Sequence, residues 1–217
     1  MPRRLRVMDA VPPDTRPVRK HAFGQAYRPT VLDRLGFWLS ARKLYALKPR
    51  SADISVADLG CGFNATFTRT VLGEVKRAVL IDVRLAEDLK AHPKIVAIEG
   101  ILPDAMRNVA EQSINFLVCN NVVEHLWEPI GTLRECRRVL APNGIAFFNV
   151  PSWRGKWFLE LAAFRLRLSP ASEMNDHKMY YDQKDLWPLL VRSGFLPEQI
   201  TLGSHKFGLN TYAVCRA

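Results

Sequence analysis

Val56-Ala-Asp-Leu-Gly-Cys-Gly-Phe-Asn64, answered by Val79-Leu-Ile-Asp82-Val83, constrains this chain more than any other stretch. An apolar run, a turn with glycines at 60 and 62, and a second apolar run ending in an acid read as a strand-turn-helix-strand unit. Two strands joined that way run parallel, because a crossover returns the chain to the same edge before the second strand begins. The glycines let the turn press its backbone against a ligand where a side chain would collide. Asp82 lies 20 residues beyond Gly62, the spacing at which a carboxylate reaches the ribose hydroxyls of a nucleoside. Gly60-Cys61-Gly62-Phe63-Asn64-Ala65 satisfies the loose G-x-G-x-x-G/A pattern, so spacing alone leaves NAD open. Asp58 points elsewhere. A carboxylate two residues before the first glycine suits a cationic ligand such as an amino-acid ammonium, whereas a pyrophosphate wants bare N–H groups and a helix dipole.

From residue 51 the chain alternates strand and helix. Strands are expected near 54–59, 78–82, 94–99, 113–120 and 144–150, and helices near 65–75, 85–92, 104–111 and 127–140. That alternation implies an α/β fold with a parallel sheet covered on both faces. Upstream, Val31, Leu35, Trp38, Leu39 and Leu44 recur at near-helical spacing, and Lys48-Pro49 ends the segment. Downstream of Pro151-Ser152, residues 153–168 are apolar with four basic residues and one acid. They read either as an amphipathic helix on the core or as a membrane-facing one. A loop over 169–176, a helix over 183–194 and a closing antiparallel hairpin over 195–217 complete the pattern.

With 217 residues the chain has enough material for one sizeable core. Its charge divides it: residues 1–50 hold 12 of the 31 Lys and Arg and 3 of the 21 acids, leaving 51–217 nearly neutral. We therefore divide it into a basic N-terminal extension, 1–50, and a cofactor domain, 51–217, with 153–181 as a lid or substrate insertion. A cationic extension fits an anionic partner, whether nucleic acid, phosphorylated substrate or membrane surface, or serves only solubility. No apolar run reaches the length of a membrane span, and no apolar block follows the basic start as a signal peptide requires. Cys61, Cys119, Cys136 and Cys215 show no metal or redox spacing and read as reduced. The expectation is a cytoplasmic enzyme, with peripheral membrane contact open and oligomeric state unspecified.

Asp58-Leu-Gly60-Cys-Gly62, Ile81-Asp82, Asn121-Val-Val-Glu124-His125-Leu126 and Leu133-Arg-Glu-Cys-Arg-Arg-Val-Leu140-Ala-Pro-Asn-Gly144 together resemble the class I S-adenosylmethionine-dependent methyltransferases, in particular a bacterial small-molecule subgroup. The resemblance covers residues 54–152 closely and 176–216 loosely. It implies a Rossmann-like, mostly parallel seven-stranded sheet of order 3-2-1-4-5-7-6 with helices on both faces. S-Adenosyl-L-methionine is the implied cofactor. Asp58, Gly60, Cys61 and Gly62 would face its methionine part and Asp82 its ribose. Gly100, Ile101 and Leu102 would pack the adenine. Many relatives carry an Asp after that glycine, and with Ile101 there a polar contact to the adenine falls to Glu99, backbone or water. Asn120 and Asn121 would lie beneath the sulfonium.

The acceptor side is less constrained. His125 is the natural base for a hydroxyl proton, with a structural brace at the sheet edge as its other reading. Asp176-His177-Lys-Met-Tyr180-Tyr181 resembles a His-x-x-x-Phe/Tyr signature, making His177 and Tyr180 further catalytic candidates, with Tyr180 and Tyr181 as an aromatic wall or one of them in the core. Relatives with Glu-x-x-Glu-His at 121–125 hold a divalent metal, and i, i+3, i+4 spacing places Asn121, Glu124 and His125 on one helical face, with 176–177 as a distal ligand. Asn121 stands where those relatives have a carboxylate, an amide is a weaker ligand for a hard cation, and no metal ligand is assigned. The implied activity is methyl transfer to an oxygen, nitrogen or carbon of a small, anionic or lipid- or glycan-linked acceptor. An RNA methyltransferase is the alternative favoured by the basic extension, although no RNA-binding module is visible. A non-catalytic Rossmann-type protein is the third.

Overall fold

The structure, a computed structural model, describes residues 21–25, 30–160 and 176–217. The charged leader before residue 21 and the 161–175 part of the expected lid lie outside the described residues.

The sheet follows from the alternation of apolar runs and crossovers. Its strands are β1 (Ser55–Leu59), β2 (Arg77–Asp82), β3 (Ile95–Glu99), β4 (Ile114–Asn120), β5 (Leu140–Pro151), β6 (Ile200–His205) and β7 (Asn210–Arg216). They form one seven-stranded sheet in the order β3-β2-β1-β4-β5-β7-β6. β1 to β5 pair in parallel, and β7 runs antiparallel between β5 and β6. The order and the closing hairpin are those expected. The central strands bury side chains on both faces, so consecutive residues enter different cores. Ala57, Leu117, Phe148 and Cys215 join one cluster, while Val56, Phe116, Phe147 and Val214 join the other.

The helices are α1 (Val31–Leu47), α2 (Thr66–Val71), α3 (Glu87–Lys90), α4 (Pro129–Val139), α5 (Trp153–Glu160) and α6 (Gln183–Arg192). α1 brings Leu44 into the second core with Leu47 packed against it, so the C-terminal end of α1 packs on the sheet. α4 and α6 cover the opposite face through Leu133, Cys136, Leu186 and Leu190. Asp182 caps α6 by a reciprocal capping box with Asp185.

Several expected helices are shorter than their patterns. The helix read over 65–75 is α2 followed by a single 3-10 turn, Leu72–Glu74, and the one over 85–92 stops before Pro93. The helix expected over 104–111 is one 3-10 turn, Asp104–Met106. Its later carbonyls are satisfied from another element: the Arg138 guanidinium of α4 donates to Met106 O at 3.0 Å and to Val109 O at 2.9 Å. A side chain from elsewhere in the fold supplies the donors that a helix would have supplied locally.

The strand order reverses between β1 and β4, and a cavity of about 1280 Å³ opens at the carboxyl ends of the strands there. No helix among the described residues is long and apolar enough to cross a membrane.

Candidate active site

The first wall of the cavity is backbone. Gly60 and Gly62 have φ of 60° and 74°, a left-handed conformation that glycine adopts without steric cost. A Cβ on Gly60 would collide with Val122 Cγ2, and one on Gly62 would meet Phe23 O at 3.1 Å. The loop is anchored in three places. Gly60 N donates to Ile81 O at 2.7 Å, Phe63 N to Phe23 O at 2.8 Å, and Gly62 N to Asp82 Oδ2 at 2.8 Å. Asp82 Oδ1 accepts from Val83 N at 2.7 Å. Asp82 thus staples the loop from the tip of β2, its two oxygens accepting from Gly62 N and Val83 N. Asp58 lies below, buried, with its Oδ2 accepting from Thr68 Oγ1 of α2 at 2.7 Å. Burial pushes its carboxyl up to about 7; the Thr68 hydroxyl opposes that rise and the nearby Asp82 charge adds to it. A cation placed against Asp58 would reverse the effect. Cys61 lines the loop with its thiol pushed well above the usual range by burial.

Gly100, Ile101 and Leu102 line the next stretch, with Ile101 exposed toward the cavity mouth. Glu99 is not among the lining residues, and the sequence-based expectation that it could reach an adenine is corrected. Its carboxylate accepts from Leu85 N at 2.8 Å and pairs with Lys90 at 2.8 Å. Alternation along β3 turns it away from the groove that its neighbour Gly100 borders.

At the far end the site is made of side chains. Asn149 of β5, fully buried, donates from one Nδ2 to Asn120 Oδ1 at 3.0 Å and to Asn121 Oδ1 at 2.9 Å. Asn121 stands at φ 60°, its N–H donating to Asn149 O at 2.8 Å, and ends β4. The chain then makes one 3-10 turn, Val123–His125. Asn121, Glu124 and His125 therefore do not share a helical face as expected, because a left-handed residue breaks the helix between them.

A different trio converges instead. Glu124, His125 and His177 each offer a ligand atom, all within 4.8 Å of one another. Glu124 is fully buried, burial raises its carboxyl, and the nearby His125, its own N–H and Asn121 oppose that rise without reaching hydrogen-bond geometry at either oxygen. His125 Nδ1 lies 3.0 Å from Asp176 Oδ2, and Lys178 Nζ lies 2.8 Å from Asp176 Oδ1. Burial alone would raise Asp176, but His125 and Lys178 outweigh it and hold the carboxyl well below the usual range. His177 packs edge-on against His125 at 4.8 Å, and its Nδ1 lies 3.2 Å from Tyr180 Oη. His125 Nδ1 thus faces the Asp176 carboxylate at ion-pair distance and His177 Nδ1 faces the Tyr180 hydroxyl, so each ring has a polar group beside one nitrogen. The 176–179 segment is tied to this turn by Lys178 N donating to Glu124 O at 2.7 Å.

His125, His177, Asn120 and Asn121 line the cavity with the glycine loop and Asp82. Tyr180 and Tyr181 do not, which corrects the aromatic wall and leaves the other expectation, one tyrosine in the core. Tyr181 packs in the core with Leu186 and Phe195, and Tyr180 backs His177 while meeting the Trp153 ring at a tilt, centroids 5.6 Å apart. Neighbouring core-facing and site-facing demands were both met by burial, which their spacing did not separate. Sequence reasoning also missed Asn149, Asp176 as the partner of His125, and the cations Arg154 and Lys206 on the wall. Asn149 had a signal: it is a lone amide in the otherwise apolar Phe147-Phe148-Asn149-Val150.

Comparison with known proteins agrees with this geometry. A methyltransferase-domain family model matches residues 30–200. A probable S-adenosylmethionine-dependent methyltransferase of Mycobacterium tuberculosis is 24% identical over 172 residues, 76% of this chain and 58% of that protein. One from Mycolicibacterium smegmatis is 26% identical over 164 residues, 72% of this chain and 57% of the other. The chain thus spans under two thirds of the length of the curated relatives it matches. Among solved structures, one from a Haloferax volcanii complex between the Trm112 methyltransferase activator and a methyltransferase aligns with a TM-score of 0.63 at 13% identity, covering 83% of this chain and 89% of that one. A SAM-dependent methyltransferase of Archaeoglobus fulgidus gives 0.60 at 13% identity, covering 83% and 94%. At such identities they show the shared fold. With the strand order, the glycine loop and a family match across most of its length, this chain belongs to the methyltransferase-domain family, in its class I S-adenosylmethionine-dependent branch.

Proposed function

We propose that this chain transfers the methyl group of S-adenosylmethionine to a hydroxyl oxygen of an anionic acceptor carrying an apolar, lipid- or glycan-linked portion. The observation that carries the reading is one continuous cavity running from the glycine loop and Asp82 to the His125–Asp176 pair. At about 1280 Å³ it exceeds the roughly 300–1,000 Å³ of an ordinary single-ligand pocket, leaving room for donor and acceptor together. Its wall is mainly apolar, with Arg154 and Lys206 beside the Lys178–Asp176 pair, Glu124 and Glu128, and we take Arg154 and Lys206 as the anchor for an acceptor with both a negative charge and an apolar part.

In this reading the Gly60–Gly62 backbone, Asp58 and Asp82 hold the donor with its methyl directed toward Asn121 and His125. The sulfonium is already activated, so the chain's main contribution is alignment of the acceptor oxygen with the methyl carbon. His125 Nε2 removes the hydroxyl proton as the oxygen–carbon bond forms and the carbon–sulfur bond breaks, and Asp176 stabilises the resulting imidazolium. The neutral S-adenosylhomocysteine then leaves a site built for a cation.

A second reading rests on Glu124, a buried carboxylate facing two imidazoles. Glu124, His125 and His177 would hold a divalent cation, whose chemistry would be to polarise the acceptor oxygen. The test is calorimetric titration with S-adenosylmethionine followed by radiolabel transfer to a panel of hydroxylated phospho- and glycolipids, with and without chelator. Absence of donor binding removes the proposal. Transfer abolished by chelator and restored by a divalent cation selects the metal-assisted form; transfer indifferent to chelator selects the His125–Asp176 base.

A further inference from the structure

Among the described residues the most exposed large apolar side chains are Phe207, at 84%, and Trp157, at 74%. Phe207 sits in the one-turn tip Lys206–Gly208 between β6 and β7, where Lys206 and Phe207 have φ of 49° and 59°. Two successive non-glycine residues in the left-handed region are strained, and strain is retained where it serves a site. Here it holds an aromatic ring out in water.

Three segments meet at this place. A Cβ on Gly36 of α1 would lie 3.7 Å from Lys206 Nζ, and one on Gly208 would lie 3.5 Å from Arg154 Nη1 of α5. Trp38 of α1, 56% exposed, and Phe158 of α5 therefore border the same opening as Phe207, and all three line the cavity mouth. Cations alternate with the rings: Arg42 lies 5.9 Å from the Trp38 ring and Lys156 5.7 Å from that of Trp157. The rim stretches 34–42, 153–158 and 206–208 contain Arg34, Arg42, Arg154, Lys156 and Lys206 and not one Asp or Glu.

We propose that this rim docks on an anionic lipid bilayer, with Phe207, Trp157 and Trp38 entering the headgroup boundary and the surrounding cations meeting lipid phosphates. Aromatic rings seated at the boundary beside Lys and Arg are what an interfacial surface requires, and an acid-free rim complements a negative leaflet. The docked face is also the mouth of the cavity, so an acceptor with an apolar tail would pass from membrane to site without crossing water. That last step rests on the function proposed above; docking itself does not.

The experiment is flotation of the full chain with vesicles of phosphatidylcholine alone and of phosphatidylcholine mixed with phosphatidylglycerol, which reads docking without turnover. Binding is expected to the anionic vesicles, to weaken as salt rises, and to fall at least about tenfold in a Trp157→Ser/Phe207→Ser variant whose melting temperature is unchanged. A Arg42→Glu/Lys156→Glu variant should lose the preference for phosphatidylglycerol while still melting normally. No binding at low salt, or equal binding by the Trp157→Ser/Phe207→Ser protein, overturns the proposal. A concentration-dependent dimer that this variant abolishes overturns it as well, by assigning the rim to a second copy. Failure of flotation with donor binding intact would leave the methyltransferase reading standing.

Discussion

The two ends of the cavity are built in different ways. The end proposed to hold the donor is mostly backbone: a glycine loop, two main-chain anchors and the carboxylates of Asp58 and Asp82, all within residues 58–82 apart from Phe23. The acceptor end is side chain, drawn from β4, β5, the 176–180 segment and the hairpin tip. A backbone site tolerates few changes but depends on few residue identities. A side-chain site can change specificity by substitution, and each of its members depends on neighbours distant in sequence. The donor end should therefore respond to mutation mainly in affinity and stability, and the acceptor end in turnover.

The largest effect expected is at His125. His125→Ala should lower kcat by about 10²–10⁴ with donor affinity unchanged, measured by radiolabel transfer and calorimetry. An equal loss of donor binding would erase the division between the ends.

Asp58 tests the donor end through pH. Its carboxyl, raised to about 7 in the fold from an ordinary 3.8, keeps its proton after the unfolded chain has released its own. Stability therefore falls as pH rises from about 4 to about 7, by at most about 4 kcal/mol, and is unaffected below that window. A donor ammonium favours the charged carboxylate, so binding near neutrality should release a proton. Affinity should drop by about tenfold per unit as pH falls below 7. Asp58→Asn should flatten that slope, read by calorimetry across pH.

Asp82→Asn should weaken donor binding by about ten- to a hundredfold, since it exchanges a charged acceptor of Gly62 N–H for a neutral one. Gly60→Ala should cost about 1–3 kcal/mol of stability, from positive φ and the clash with Val122, seen as a lower melting temperature. The smallest effect is expected for Tyr180→Phe. Losing the 3.2 Å contact to His177 should reduce kcat only a few-fold, consistent with about 1 kcal/mol, and leave donor affinity intact. A large effect on donor binding would show the two ends to be coupled.

The strand–helix alternation, the glycine turn and Asp82 were legible because each depends on local pattern: apolar runs, residues able to take positive φ, and a fixed spacing along one βαβ unit; the strand order came from the family resemblance. The family resemblance extended that legibility to Asn121 and His125. Glu99 and Tyr180 were misplaced because the face on which a side chain emerges depends on what packs there, whereas Tyr181 took the core position expected of one of the two tyrosines. The 104–111 helix was misread for a related reason, since Arg138 from α4 satisfies its carbonyls. Asp176 was visible as a residue but not as the partner of His125, 51 positions earlier in the chain.

By itself the sequence determined the α/β architecture, the cofactor loop and the residue types at the site, because hydrophobic periodicity and glycine conformational freedom act over a few residues. Tertiary structure alone decided which imidazole faces which carboxylate, that Asn149 bridges Asn120 and Asn121, and that α1, α5 and the β6–β7 tip share a rim. Those are contacts between segments far apart in the chain. They form only once the sheet has closed and burial has selected one face of each strand, and no pattern of neighbours along the chain encodes them.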